Sequence, residues 1–161
     1  MVVRRDYMKN KFKFLAAGLT IIGAAAFYFN FSTDNRHFSC LAQYHVQNNG
    51  LRANMLMRFF FDGPSGFVTM NGEFINASGI HKVISRKVLF DFTTTKSNYL
   101  LTSKAIIPAA FDETDNHSLA YLLEGFYTNI NQLAQYNIHY DGNGGYIFMN
   151  GNVPVLLCAG S

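Results

Sequence analysis

Hydrophobic and polar residues follow two different patterns along this chain of 161 residues. From Phe14 to Thr33, 20 residues run without a charge between Lys13 and Asp34. A helix of that length spans about 30 Å, which is the thickness of the hydrocarbon core of a bilayer. The first pattern therefore predicts a transmembrane helix over residues 14–33, with a separate folded domain over residues 34–161.

The charges in front of this run predict its orientation. The basic residues before it are Arg4, Arg5, Lys9, Lys11 and Lys13, against the single acid Asp6. Cytoplasmic flanks carry such an excess of positive charge, so residues 1–13 are predicted to form a cytoplasmic tail and residues 34–161 an exported domain. A cleavable signal peptide is the alternative, because the small residues 24–26 resemble a cleavage site. Both interpretations export the domain.

The second pattern has a period of two residues and predicts β-strands. It is clearest from Leu51 to Phe61, where every second residue is apolar and Arg52, Asn54 and Arg58 fall on the other face. Turn residues separate further segments of this kind. The predicted strands are residues 38–46, 51–61, 67–75, 80–92, 99–107, 132–140, 146–149 and 155–158.

One stretch between these strands has a helical period instead. Leu119, Leu122, Leu123 and Phe126 share one face at helical spacing, and Asp115 or Ser118 can cap the helix start. The spacing predicts one helix of about two turns. The preceding acids, Asp112, Glu113 and Asp115, lack the spacing of a calcium loop and are interpreted as a solvated helix start.

About eight antiparallel strands and one short helix predict a mainly β fold, either a small barrel or a strongly curled sheet. A barrel of eight strands can hold one small ligand. The candidate lining consists of the apolar faces of two strands, namely Met55, Met57, Phe59, Phe61, Val88, Phe90 and Phe92. The alternative interpretation is that these residues are ordinary core.

The chain contains two cysteines, Cys40 and Cys158. In an oxidising compartment an even pair predicts a disulfide, here one that would join the first predicted strand to the last. Two buried free thiols are the alternative.

Charge and motifs indicate no catalytic chemistry. From Phe14 onward the chain has eight basic and nine acidic residues, so the exported domain has no basic surface of the kind that binds nucleic acid. No nucleophile elbow, metalloprotease helix or phosphate loop is present in the sequence. We therefore expect a protein that is not an enzyme and that uses no metal or cofactor.

Several short segments resemble the FidL-like family of enterobacterial inner-membrane proteins. The residues that carry the resemblance are Phe38, Ser39 and Cys40, then Asn71 and Gly72, then Ile84, Ser85 and Arg86, then Gly144, Gly145 and Tyr146, and finally Pro154 and Cys158. The resemblance implies a single-pass protein of the bacterial inner membrane with a periplasmic, lipocalin-like domain.

The resemblance also implies a partner and a role. FidL-like proteins are similar to the ToxS and VtrC type of accessory protein, which pairs through its periplasmic domain with a single-pass ToxR-like transcription regulator in virulence signal transduction. Such a pair implies sensing of bile salts or other amphipathic ligands, and Arg52 or Arg58 would then meet the ligand's acidic group. The alternative function is a stand-alone periplasmic carrier of lipids or other hydrophobic molecules.

Overall fold

The structure, a computed structural model, describes residues 37–160 as a closed antiparallel barrel of eight strands in sequence order. The strands are β1 (His37–Asn48), β2 (Leu51–Asp62), β3 (Ser65–Ile75), β4 (His81–Thr95), β5 (Asn98–Pro108), β6 (Leu133–Tyr140), β7 (Gly145–Asn150) and β8 (Val153–Gly160). This confirms the predicted mainly β class and the predicted strands within a few residues at their ends.

The alternating residues that predicted β2 also show where the core lies. Ala53, Met55, Met57, Phe59 and Phe61 are all buried, whereas the residues between them face outward. The inward residues of the other strands join them in one apolar cluster that fills the barrel. Burial of this cluster, at roughly 25 cal/mol per Å² of apolar surface, supplies the main stabilisation of the fold.

The barrel has two different ends. The start of β1 and the turns after β2, β4 and β6 lie at one end, which we call the N-terminal end. The turns after β1, β3 and β7 lie at the other end together with the long connection 109–132 between β5 and β6. We call this second end the helix-capped end, because the connection carries two short helices.

These helices correct the prediction of one two-turn helix. They are α1 (Asn116–Leu119) and α2 (Gly125–Thr128), and the backbone is extended at Glu124 between them. Gly125 is a weak helix former, and the break lets both segments turn their apolar residues toward the barrel. The predicted apolar set is nevertheless confirmed as buried, and Asp115 caps α1 by accepting a hydrogen bond from the Ser118 backbone N–H.

The segment before α1 also differs from its prediction as a solvated helix start. The side chains of Asp112 and Arg86 form an ion pair at 2.8 Å in which each is only 1% exposed. Asp112 bonds both Nε and a terminal nitrogen of the guanidinium, and it also accepts a hydrogen bond from the Ser85 backbone N–H. The solvated interpretation was therefore wrong for Asp112, because this carboxylate is buried against Arg86 on β4.

Residues 109–114 extend the sheet where β5 has ended. The Ala109 N–H donates to the Ser85 carbonyl and the Glu113 N–H donates to the Val83 carbonyl. In return the Val83 N–H donates to the Glu113 carboxylate at 3.0 Å. Side-chain carboxylates thus take the place of backbone carbonyls along the start of β4, and this arrangement fixes the helical connection on the barrel end.

The predicted disulfide is confirmed. Cys40 on β1 and Cys158 on β8 are bonded, with Cα atoms 5.3 Å apart and 118 positions apart in sequence. The bond joins the two strands that close the barrel.

The predicted cytoplasmic tail, the transmembrane helix over 14–33 and the alternative cleavage site all lie outside the described residues. Among residues 37–160, no helix has the length and apolar character needed to cross a bilayer.

Removing the disulfide should destabilise the barrel strongly. The double substitution Cys40→Ala with Cys158→Ala releases a loop of 118 residues in the unfolded chain, a change that the chain-entropy relation puts at about 4 to 5 kcal/mol. Urea unfolding of both proteins measures the difference. A reductant should lower the midpoint of the wild type and leave the double variant unchanged, and equal midpoints for the two oxidised proteins would contradict the assignment.

Loss of the buried ion pair should lower the free energy of unfolding more than loss of an exposed ion pair. Asp112→Asn leaves the Arg86 charge buried without a counter-ion, which should cost about 3 to 5 kcal/mol of unfolding free energy. The matched control is Asp91→Asn, which removes an exposed pair with Lys104 at 3.3 Å and should cost less than about 1 kcal/mol. Equal urea midpoints for the two variants would contradict this interpretation.

Candidate functional site at the barrel seam

The predicted ligand-lining residues lie inside the barrel. All seven, Met55, Met57, Phe59, Phe61, Val88, Phe90 and Phe92, are buried members of the apolar cluster. Their rings contact one another, with the centroid of Phe61 lying 5.3 Å from that of Phe90 and 5.1 Å from that of Phe92. A ligand among them would have to displace packed rings, so their role as a lining stays a prediction.

The structure does not bring Arg52 and Arg58 together with this set. Both arginines are exposed on the outer face of β2, because successive side chains of a strand point to opposite sides. The barrel wall therefore separates the predicted site for an acidic group from the predicted apolar lining.

The least complete part of the barrel wall is the seam between β1 and β8. All twelve residues of β1 pair with β2, but only Cys40, Leu41 and Ala42 pair with β8. Within residues 37–160, no strand pairs with residues 43–48 on the side of β1 that faces β8, nor with residues 153–157 on the corresponding side of β8. Both edges consequently present backbone groups that a further extended segment can bond.

The seam opens toward the helix-capped end. Along the inward face of β1, Cys40 and Ala42 are fully buried, whereas Tyr44 and Val46 are only partly buried. Pro154 on β8 is exposed, although Leu156 and Cys158 at the next two alternate positions are buried. Exposure thus rises from the disulfide toward the end of β1, and we call this opening the seam mouth.

A buried polar cluster lies under the helical connection at the helix-capped end. The hydroxyls of Tyr127 on α2 and Tyr136 on β6 are 3.0 Å apart, and the Tyr136 hydroxyl donates to the Glu124 carboxylate at 3.3 Å. These hydrogen bonds join the connection to β6.

The environment of this cluster disfavours ionised phenols. Burial raises the pKa of Tyr127 well above its usual value, and the neighbouring Tyr136 raises it further. Burial also raises the pKa of Tyr136, to which the Glu124 charge contributes. The pKa of Tyr44 is raised by burial and then by Glu124. All three hydroxyls are neutral hydrogen-bonding groups at neutral pH.

The outer side of the seam is apolar along β8, whereas Gln43 and His45 on β1 are exposed polar residues. Leu157 is 71% exposed and Val155 is 37% exposed on β8, and Leu56 is exposed nearby on β2. A shallow depression of about 700 Å³ crosses this surface. It is lined by Leu41, Gln43, His45, Leu56, Asp141, Tyr146, Ile147, Leu157, Cys158 and Ala159. Exposed apolar groups beside unpaired strand edges are typical of a surface that another protein covers.

Three histidines on the strands, His37, His45 and His81, are exposed residues in polar pairs. His37 lies 2.8 Å from Asp62, His81 lies 2.9 Å from Glu73, and His45 lies 2.9 Å from the Asn54 side chain. In the part of the chain from residue 37 to 160, no three potential ligands converge as a metal site would require.

The sequence analysis did not single out Glu124, Tyr127 and Tyr136. These residues fit no motif, and only the packing of the connection on the barrel brings their side chains together.

Comparison with known proteins identifies relatives of this barrel. The family described as the YqeJ C-terminal domain matches residues 37–158, which is nearly the whole barrel. The Escherichia coli K12 protein described as uncharacterized protein YqeJ is 27% identical over 124 residues, covering 75% of this chain and 78% of the relative. No solved structure matches the chain.

The raised phenol pKa values predict a late step in an alkaline titration. In the native protein, Tyr127 and Tyr136 should remain neutral above pH 10.0, the ordinary tyrosine pKa, and Tyr127→Phe or Tyr136→Phe should shrink the late rise in ultraviolet phenolate absorbance. Because the folded-state pKa values are raised, the stability that these groups contribute is complete below pH 10.0 and is lost above it. In urea all tyrosines should titrate in one step, and a single native step would contradict the burial.

Proposed function

This chain belongs to the YqeJ C-terminal domain family, and we propose that it is an accessory protein that pairs with and stabilises a ToxR-like membrane transcription regulator. In this proposal, residues 14–33 anchor the chain in the bacterial inner membrane and the barrel lies in the periplasm. The FidL-like resemblance, with its ToxS and VtrC type of partner, belongs to the same proposal.

The seam between β1 and β8 is the observation that supports pairing. Three residue pairs join these strands, while β1 continues for six residues and β8 for five beyond the paired part. An extended segment that adds to such an edge gains a row of backbone hydrogen bonds and places alternate side chains on the flanking surface. Val155 and Leu157 supply an apolar surface at this place.

A periplasmic barrel can influence transcription by binding a membrane protein that carries a cytoplasmic DNA-binding domain. A segment that binds the folded barrel and not the unfolded chain also stabilises the barrel by mass action, and the partner is stabilised reciprocally.

A ligand can regulate the pair formed by this protein and the regulator only under one condition. It must bind the paired and unpaired states with different affinity, because equal binding shifts neither population. A molecule held at the seam mouth meets this condition, since the mouth lies beside the edges on which the partner segment would pair. Bile salts, which the resemblance implies, are one class to be tested.

Substitution at the seam tests the pairing. The full-length protein should co-purify from the inner membrane with a membrane-anchored winged-helix regulator. Val155→Lys on the β8 edge should lower the recovered regulator at least tenfold, because the lysine interrupts the apolar surface that the partner covers. The matched control is Leu100→Lys on β5, away from the seam, where the side chain has the same 37% exposure.

The outcome distinguishes the two functions. Loss of the regulator with Val155→Lys and not with Leu100→Lys supports pairing at the seam. No recovery with the wild type, or equal loss with both variants, contradicts it. Tight binding of a lipid by the full-length protein without any associated regulator would favour the stand-alone carrier.

A further inference from the structure

An apolar patch lies on the outer wall of the barrel, close to the N-terminal end. Phe60 on β2 pairs with Phe67 on β3, and Phe67 pairs with Leu89 on β4, so the three side chains form one row across three strands. The rings of Phe60 and Phe67 are stacked, with centroids 5.2 Å apart. Phe60 is 40% exposed, the other two are partly buried, and all three line a depression of about 400 Å³. We call these three residues the outer patch.

Two basic side chains border the outer patch on the side toward the helix-capped end. Arg58 pairs with Thr69 and Thr69 pairs with Lys87, which places this row next to the outer patch on the same face. The Lys87 Nζ lies 4.4 Å from the centroid of the Phe67 ring. Among residues 37–160, neither Arg58 nor Lys87 forms an ion pair, so both charges can attract an anionic partner.

Two acidic side chains border the outer patch on the side toward the N-terminal end, and each has a partner. Asp62 lies 2.8 Å from His37, and Asp91 lies 3.3 Å from Lys104. The depression over the outer patch is also lined by Asp62, Asp91 and Lys104. Together with the two basic side chains of the neighbouring row, the surroundings of the patch carry three positive charges against two negative ones.

The chain in front of β1 limits how far this wall can be from a membrane. Phe60 also pairs with Ser39, so the outer patch begins one strand away from the start of β1. The predicted membrane span ends at Thr33, and three residues separate it from His37. Three residues reach about 10 Å when fully extended. If residues 14–33 span the bilayer, the start of β1 and the adjoining outer patch are therefore within reach of the lipid headgroups.

The composition of this wall matches that of surfaces that bind to a bilayer. Aromatic and aliphatic side chains enter the boundary between headgroups and acyl chains, while lysine and arginine extend their charged ends to lipid phosphates. An anionic lipid surface attracts such basic residues. From these observations we propose that the outer patch rests on the phosphate-bearing headgroups of the membrane that holds the anchor. Phe60 and Phe67 enter the headgroup layer, and Arg58 and Lys87 meet lipid phosphates.

This inference rests on the membrane anchoring in the proposed function and adds to it the face of the barrel that meets lipid. The face comprises β2, β3 and β4 and does not include β8, which supplies the apolar side of the seam. Contact between this face and lipid therefore leaves the β8 edge free for the regulator.

Relaxation of leucine methyl groups beside a paramagnetic bilayer tests the inference. The full-length protein, with ¹³C-methyl leucine, is reconstituted in nanodiscs of phosphatidylcholine and phosphatidylglycerol that contain a gadolinium-chelating lipid. Leu89 reports on the outer patch, and Leu157 on β8, three positions before Gly160, is the comparison. Leu89→Ile and Leu157→Ile assign the two signals. We expect gadolinium to raise the Leu89 relaxation rate at least threefold more than the Leu157 rate, although Leu157 is 71% exposed.

Matched arginine variants separate attraction to lipid from structure. Arg58→Gln removes a charge beside the outer patch and should reduce the Leu89 effect at least twofold. Arg52→Gln is the control, because Arg52 is also exposed on the outer face of β2 but lies at the helix-capped end, and it should leave the effect unchanged. Phe60→Ser should likewise reduce the Leu89 effect, and an unaltered signal of the buried Leu101 would show that the barrel remains folded.

The other results overturn the inference. Equal rates for Leu89 and Leu157, which are also expected if a second copy of the chain covers the outer patch, would show that this face does not rest on lipid. Equal effects of Arg58→Gln and Arg52→Gln would contradict the contact with lipid phosphates. A protein that stays outside the nanodiscs overturns the anchoring as well, whereas failure of the outer patch alone leaves recovery of the regulator unchanged.

Discussion

Closure of the barrel across β1 and β8 is the constraint on which the rest of this structure depends. These strands are 118 residues apart at the disulfide, and only three residue pairs join them. The few backbone hydrogen bonds between these two strands contribute little net stability. A cross-link over so long a loop, in contrast, removes much of the entropy of the unfolded chain. The disulfide can therefore hold the barrel shut at one point while the adjoining edges of β1 and β8 stay unpaired.

The second determinant is the buried pair of Arg86 and Asp112. It anchors residues 109–114 beside the start of β4, and the same segment leads into the two short helices. The connection that carries Glu124 and Tyr127 is thus fixed to the barrel by the ion pair between its Asp112 and Arg86 on β4. Burying two charges carries a large desolvation cost, which here is offset by several hydrogen bonds to the guanidinium and the carboxylate.

The open edges of β1 and β8 and the exposed Val155 and Leu157 lie along the same seam. A small molecule at the mouth and a protein segment on the edges would occupy neighbouring or overlapping space. Binding of one would change the affinity for the other, which is the thermodynamic requirement for a ligand-regulated pair.

The sequence by itself determined the strands, the residues of β2 that face the barrel interior and the disulfide partners. Alternation with a period of two is a local property, so Met55 to Phe61 could be assigned to the inner face without knowing which strands are neighbours. The tertiary structure decided the rest. Arg86 shares the inner face of β4 with Val88, and its burial is possible only because Asp112 arrives from a distant connection. Glu113 likewise meets the backbone of Val83 only in the folded barrel, because packing between distant segments brings the two residues together and leaves no local pattern in the chain.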